Sequence, residues 1–249
     1  MKTRNLKLTI AYDGTDYHGW QNQPNGMTVQ EQLETAALRF SGVHNPIDGS
    51  GRTDAGVHAW GQVASWSYAK KLSEERIQSA FNGLLPSDIT VRRVEAVAPV
   101  FHARKSSRAK TYLYIIDNSP CANPMLRRYA WHIRKPLNLD ALNQAATFLV
   151  GHHDFLSFKA VDGKTSTSQR TILQARWCKY GSYLFFFVKG NGFLKNMVRI
   201  IVGTLLDVGR GKNPPAKIQS IIAARDRTAA GMTAPAHGLV LRSVDYRKN

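Results

Sequence analysis

The stretch VASWSYAKKLSEERIQSAFNGLLPSDITVRRVEAV, from Val63 to Val97, decides the fold class. Its opening, Val63 to Tyr68, alternates apolar or aromatic residues with small polar ones, the period of a half-buried strand. Ser73 then supplies an N-cap oxygen. Ile77, Ala80, Phe81 and Leu84 recur at helical spacing, and Leu72 with Ile77 fits a hydrophobic staple. Ile89 to Val97 returns to a strand. Upstream, Leu6, Leu8 and Ile10 alternate with Lys7 and Thr9, which makes Leu6 to Tyr12 a strand and not the apolar core of an export signal. Thr28 and Glu31 form a capping box for a helix whose apolar face is Val29, Leu33, Ala36, Ala37 and Phe40. A weak strand is expected near Pro46 to Gly49.

Downstream the order repeats without the sequence repeating. Lys110 to Ile116 reads as a strand, Leu139 to Val150 as a helix stopped by Gly151, and Ile172 to Tyr180 with Tyr183 to Val188 as a hairpin around Gly181 and Ser182. A helix from Phe193 to Val208, a shorter one after Pro214 and Pro215, and a strand from Leu239 to Tyr246 follow. Residues 1–105 and 106–249 therefore each match the βαββαβ order of a ferredoxin-like unit. The expected class is α+β, with antiparallel sheets pooled on either side of a central basic cleft. The lack of a Pro/Ser-rich linker near Arg104 to Ala109 favours that intimate arrangement.

The chain has 249 residues and 43% hydrophobic content, enough to fill a substantial core and too much for disorder. Thirty-four lysines and arginines against 17 acidic residues leave a formal charge of +17. That balance favours a polyanionic partner, nucleic acid first. Two cysteines, Cys121 and Cys178, stand in no ligand or disulfide spacing, which fits a reducing compartment and offers no zinc site. No apolar stretch reaches the roughly 20 residues of a membrane span. A cytoplasmic protein with no membrane, metal or organic cofactor requirement is the expectation.

Chemistry concentrates in three places. Gly49 to Ala59 carries three glycines, Arg52 and Asp54, so a cation and a carboxylate share one tightly turned loop. Asp54 could act on a ligand, or close an Asx turn on its own backbone. Ser50, Thr53 and His58 are expected to make local turn hydrogen bonds, since no nucleophile-elbow pattern surrounds them. In the helix after Phe193, Arg199 interrupts an almost wholly apolar surface, and a buried guanidinium requires a carboxylate. Asp54 is one candidate partner; Asp207, Asp245 or escape to solvent are the others. Tyr112 and Tyr114 share one face of a strand preceded by Arg104, Lys105, Arg108 and Lys110, a mixture that stacks bases and holds phosphates, although a strand tyrosine is more commonly core. Gly163-Lys164-Thr165 lacks the first glycine of a phosphate loop, Phe158 standing in that place, and reads as a polar loop. His152 and His153 sit at an expected helix exit and lack metal spacing.

Several of these segments, in order, resemble the tRNA pseudouridine synthase A family: Tyr12-Asp13-Gly14-Thr15, His18-Gly19-Trp20-Gln21, Thr28-Val29-Gln30, Gly51-Arg52-Thr53-Asp54-Ala55-Gly56-Val57-His58-Ala59, Phe101-His102-Ala103-Arg104, Tyr112-Leu113-Tyr114, His153-Asp154-Phe155, Phe193-Leu194, Met197-Val198-Arg199 and Ala234-Pro235-Ala236-His237-Gly238-Leu239. The resemblance implies a cofactor-free isomerase that turns uridine into pseudouridine on the 3′ side of the tRNA anticodon stem-loop, at tRNA positions 38–40. It implies that Asp54 is the essential aspartate, that Tyr112 stacks on the target uracil, that Arg199 pairs with Asp54, and that Arg52 helps extrude the base. It also implies a homodimer binding tRNA across both subunits. Lys105 replaces a usual aromatic residue and Ser107 a common alanine, departures that bear on packing and not on the reaction. Without the resemblance, a non-catalytic RNA-binding module, or a hydrolase acting with a second carboxylate, would also suit the composition.

Overall fold

The computed structural model describes residues 4–69, 72–163 and 165–246. The expected α+β class holds: five α-helices and ten mostly antiparallel strands occur among the described residues. The chain divides into two compact units, Met1–Arg108 with Leu241–Asn249, and Ala109–Val240.

In the first unit the order is β1 (Arg4–Tyr12), α1 (Val29–Ser41), β2 (Asp48–Gly49), β3 (His58–Tyr68), α2 (Glu74–Leu84) and β4 (Ile89–Val97). Strand β1 lies between β3 and β4, antiparallel to both, while β2 pairs with Ser65 and Ala64 of β3. Both caps form as expected. Thr28 accepts the Glu31 N–H (3.3 Å) and Ser73 the Arg76 N–H (3.3 Å), contacts typically worth about 1 kcal/mol each. Helices α1 and α2 meet β3 through an aromatic cluster: Trp66 stacks on Tyr68 at 4.8 Å, and Phe40 and Phe81 pack edge-on at 5.1 Å.

In the second unit the order is β5 (Ala109–Asp117), β6 (Trp131–His132), α3 (Leu139–Thr147), β7 (Gly151–Asp154), β8 (Gln169–Tyr180), β9 (Tyr183–Gly190), α4 (Met197–Gly209) and α5 (Lys217–Ala224), and β10 (Leu239–Asp245) begins there. Antiparallel pairing runs β5, β9, β8, β7, with β6 parallel to β5. The hairpin turn needs Gly181 at φ +56°, as its sequence suggests.

Four details differ from the sequence reading. Strands β6 and β7 are additional, so the second unit does not simply repeat the order of the first. Helix α3 ends at Thr147 because the next three N–H groups bond three residues back (Phe148 to Ala145, Leu149 to Ala146, Val150 to Thr147), a tightening that breaks the α pattern before Gly151. His152 and His153 accordingly lie on β7. Helix α4 starts at Met197, four residues late, because Asn196 adopts a left-handed conformation (φ +59°) that no α-helix continues through. Lys164 of the polar 163–165 loop lies outside the described residues.

Candidate active site

Residues 50–57 form an irregular loop of the first unit between β2 and β3, and contacts at Ser50, Gly51, Thr53 and Gly56 hold it. Gln62 of β3, wholly buried, accepts from Ser50 Oγ (2.7 Å) and donates to the Gly51 carbonyl (2.9 Å). Thr53 is held twice: its carbonyl accepts the Trp20 N–H (3.2 Å), and its hydroxyl lies 2.8 Å from the Tyr12 hydroxyl. Burial pushes the Tyr12 phenol up, so its proton stays available. Gly56 N–H donates to Tyr17 O (3.2 Å), and His58 Nδ1 sits 3.0 Å from Gly14 N and 3.1 Å from Asp13 Oδ1. Ser50, Thr53 and His58 thus have partners beyond their own turn, on β3, on β1 and in the 13–14 segment. The reason is burial: a buried hydroxyl or imidazole must find a partner, and a glycine-rich loop supplies few.

Segment 17–21 lies against this loop because residue 19 is glycine. Its φ is +88°, and a Cβ there would stand 2.5 Å from Thr53 O. Asp54 follows the doubly held Thr53 and is half-buried; its main-chain carbonyl accepts the Val57 N–H (3.1 Å) and closes the turn. Arg52 is exposed and donates through Nε to Gln21 Oε1 at 2.9 Å. The carboxylate-bearing loop is thereby rigid before any ligand arrives.

In the second unit Tyr112 sits on β5 opposite Val188, 7% exposed, with its ring edge-to-face on Phe193 at 5.1 Å. Tyr114, on the same face, is core. It has no exposure, and its hydroxyl donates to Pro235 O (2.8 Å). All residues of α4 are buried except Arg199 and Asp207, and Arg199 is half-buried rather than sealed. Its guanidinium donates to Ala234 O (2.7 Å) and Asn196 Oδ1 (3.0 Å). The 231–234 segment can cross α4 this closely because residue 203 is glycine: a Cβ there would collide with Met232 O at 1.8 Å. Asp207, one of the candidate partners of Arg199, forms an ion pair with Lys212 (3.2 Å).

A model of the tRNA pseudouridine synthase family matches residues 8–104 and 145–247. The chain belongs to that family. It is 46% identical over 243 residues to the tRNA pseudouridine synthase A of Brevibacillus brevis, covering 98% of this chain and all of the relative. The same enzyme name belongs to relatives in Pelobacter propionicus, 44% identical over 98% of this chain and all of the relative, and in Ruminiclostridium cellulolyticum, 45% identical over the same shares.

Within the family frame, Arg52 and Asp54 fall in the first matched stretch, Arg199 in the second and Tyr112 between the two. Arg52 and Asp54 belong to one compact unit, and Tyr112 and Arg199 to the other. Gln62, Tyr12 and Gln21 were not foreseen as holding the synthase loop. Gln62 carried a signal: it occupies the inward register of Ala64 and Trp66, where a polar side chain requires buried partners. Both cysteines are unpaired, and no group of three potential metal ligands occurs among the described residues. Nor, among those residues, is any helix long and apolar enough to cross a membrane.

Proposed function

We propose that the protein isomerises uridine to pseudouridine in the anticodon stem-loop of tRNA, with the Asp54 carboxylate as the reacting group and no cofactor. The observation that carries this reading is the loop itself: in a chain of this family, a half-buried aspartate follows a threonine anchored from two directions. Anchoring of that kind is what a positioned carboxylate needs and what a passive RNA-binding loop does not. The reaction breaks the N1 to C1′ bond of uridine, turns the uracil in place and joins C5 to C1′. The proton on C5 is released and N1 takes one up, so product and substrate have the same atoms. Asp54 assists bond cleavage, Tyr112 stacks on the base, Arg52 enters the space the base leaves, and Arg199 pairs with Asp54. The bonds that Arg199 donates to Ala234 O and Asn196 Oδ1 support that last role by orienting its guanidinium. Extrusion of the base costs a few kcal/mol, which stacking and phosphate contacts offset. The halves 1–105 and 106–249 supply the aspartate and the stacking tyrosine respectively, in a cytoplasmic homodimer.

The test is tritium release from tRNA labelled at uracil C5. Asp54→Asn should bind tRNA as tightly as the parent chain and release tritium only at background. Wild-type-like release by that variant would remove Asp54 from the mechanism. A parent chain that binds tRNA without releasing tritium would leave only the RNA-binding reading, and free uracil among the products would identify a hydrolase.

A further inference from the structure

The second unit has a polar cavity of about 320 Å³ lined by Asp154, Leu156, Lys159, the run Thr165 to Gln169, and Arg225. Its lining carries two cations, Lys159 and Arg225, against one carboxylate. The one carboxylate, Asp154, is already occupied: Oδ1 accepts the Leu156 N–H (3.1 Å), and Oδ2 faces Arg225 Nε at 2.9 Å. Arg225 keeps its terminal N–H groups beyond that contact, and Lys159 makes no ion pair among the described residues. Thr167 Oγ1 accepts the Gln169 N–H (3.2 Å), which leaves its own proton to donate. The run is held from behind by Arg170, which donates to the carbonyls of Thr167 (3.0 Å) and Gln169 (2.6 Å). Arg170 also lies beside Gly192, where an added Cβ would be 3.5 Å from its Nε, and the next residue, Phe193, meets the Tyr112 ring.

Lys159, an arginine shared with Asp154 and an unspent hydroxyl make a site of net positive charge for an anion with several oxygens. We infer that this cavity binds a backbone phosphate of the RNA substrate, its wall joined to Tyr112 through Arg170, Gly192 and Phe193. A chain of formal charge +17 acting on a polyanion favours a phosphodiester over a free anion. The assignment rests on the proposed tRNA reading for the identity of that polyanion.

Binding of full-length tRNA transcript to the intact protein across a salt series tests it, together with steady-state kinetics. Lys159→Ala should weaken tRNA binding several-fold, lower the slope of log affinity against log salt by about one, and raise KM with kcat unchanged. Lys159→Arg should restore the parent behaviour, and Thr167→Val should move KM in the same direction by less. Unchanged affinity and slope in Lys159→Ala would overturn the inference. So would saturable binding of inorganic pyrophosphate that Lys159→Ala abolishes while tRNA affinity stays, since the cavity would then serve a free phosphate ligand. The binding arm needs no turnover. A parent chain that forms no pseudouridine would therefore sink the isomerase reading, while the salt series would still decide the cavity.

Discussion

Gln21 Oε1 accepts a hydrogen bond from Arg52 Nε at 2.9 Å, and both side chains stand at the surface of the first unit. Gln21 can do this because its neighbour Trp20 is buried and hydrogen-bonded to Thr53 and Gln30 through its main chain. The guanidinium is thereby aimed from the segment that also braces the Asp54 loop. A charge-assisted bond at an exposed site contributes about 1 kcal/mol, so Gln21→Ala should cost no more than about tenfold in kcat and leave the fold intact. The telling measurement is the double variant with Arg52→Ala. If Gln21 acts through Arg52, adding Gln21→Ala to Arg52→Ala changes nothing further; additive losses would show that it acts elsewhere.

Gly19→Ala tests the close approach at Thr53. The variant must place a side chain at φ +88° and a Cβ 2.5 Å from a backbone oxygen, so either residue 19 or the Thr53–Asp54 backbone has to move. Strain of this kind costs about 1–3 kcal/mol, and misplacement by an ångström costs on the order of a hundredfold in rate. The expected result is a lowered unfolding midpoint in urea together with a loss of kcat in tritium release, at unchanged tRNA affinity. A variant with parent kcat would show that the 17–21 segment does not set the position of Asp54.

The contrast between Gly19 and the regular elements shows what sequence could reveal. Strand β4 was legible to the residue, and α1 and α2 from their caps, because alternation and capping are local properties. Strands β6 and β7 are two and four residues long and owe their existence to partners elsewhere in the chain, so no local period marks them. The late start of α4 turns on one left-handed asparagine. In the site, the glycine density around Asp54 was visible, but its bracing was not: Tyr12 reaches Thr53 across 41 positions, and Arg52 reaches Gln21 across 31. Tyr112 stood out locally as an aromatic after a basic run and Arg199 as a charge in apolar surroundings; stacking and pairing with Asp54 were each one reading among others, and the resemblance chose between them.

Glu34 is a buried polar residue on the inward face of α1, where the helical pattern shows only its apolar companions. Its carboxyl group accepts from Asn22 Nδ2 (2.7 Å), Gln30 Nε2 (3.0 Å) and Ile47 N (2.9 Å), joining three segments of the first unit. Glu34→Leu fills the volume but leaves three donors without an acceptor, at about 1–3 kcal/mol for each one that water cannot reach. Urea unfolding should show a loss of roughly 3 kcal/mol or more, and Glu34→Gln, which keeps one acceptor oxygen, should lose less. Equal losses in the two variants would mean that shape and not hydrogen bonding governs the position.

Asp117, at the end of β5 and 2% exposed, gives the fold a dependence on pH. Burial by itself would raise its carboxyl; the Ser119 hydroxyl, the Asn123 and Ser119 N–H groups and the charge of His132 outweigh that and hold it below the ordinary aspartate value. A carboxyl depressed in the folded state contributes stability that is complete above its unfolded value, and this is lost as pH falls through the folded one. Asp117→Asn keeps an acceptor oxygen but carries no charge, so its deficit relative to the parent should be full at neutral pH and shrink steadily on acidification. Chemical unfolding of both proteins at a series of pH values measures the difference directly. A deficit that stays constant from neutral to acid pH would show that Asp117 holds the 118–123 loop by shape, with no contribution from its charge.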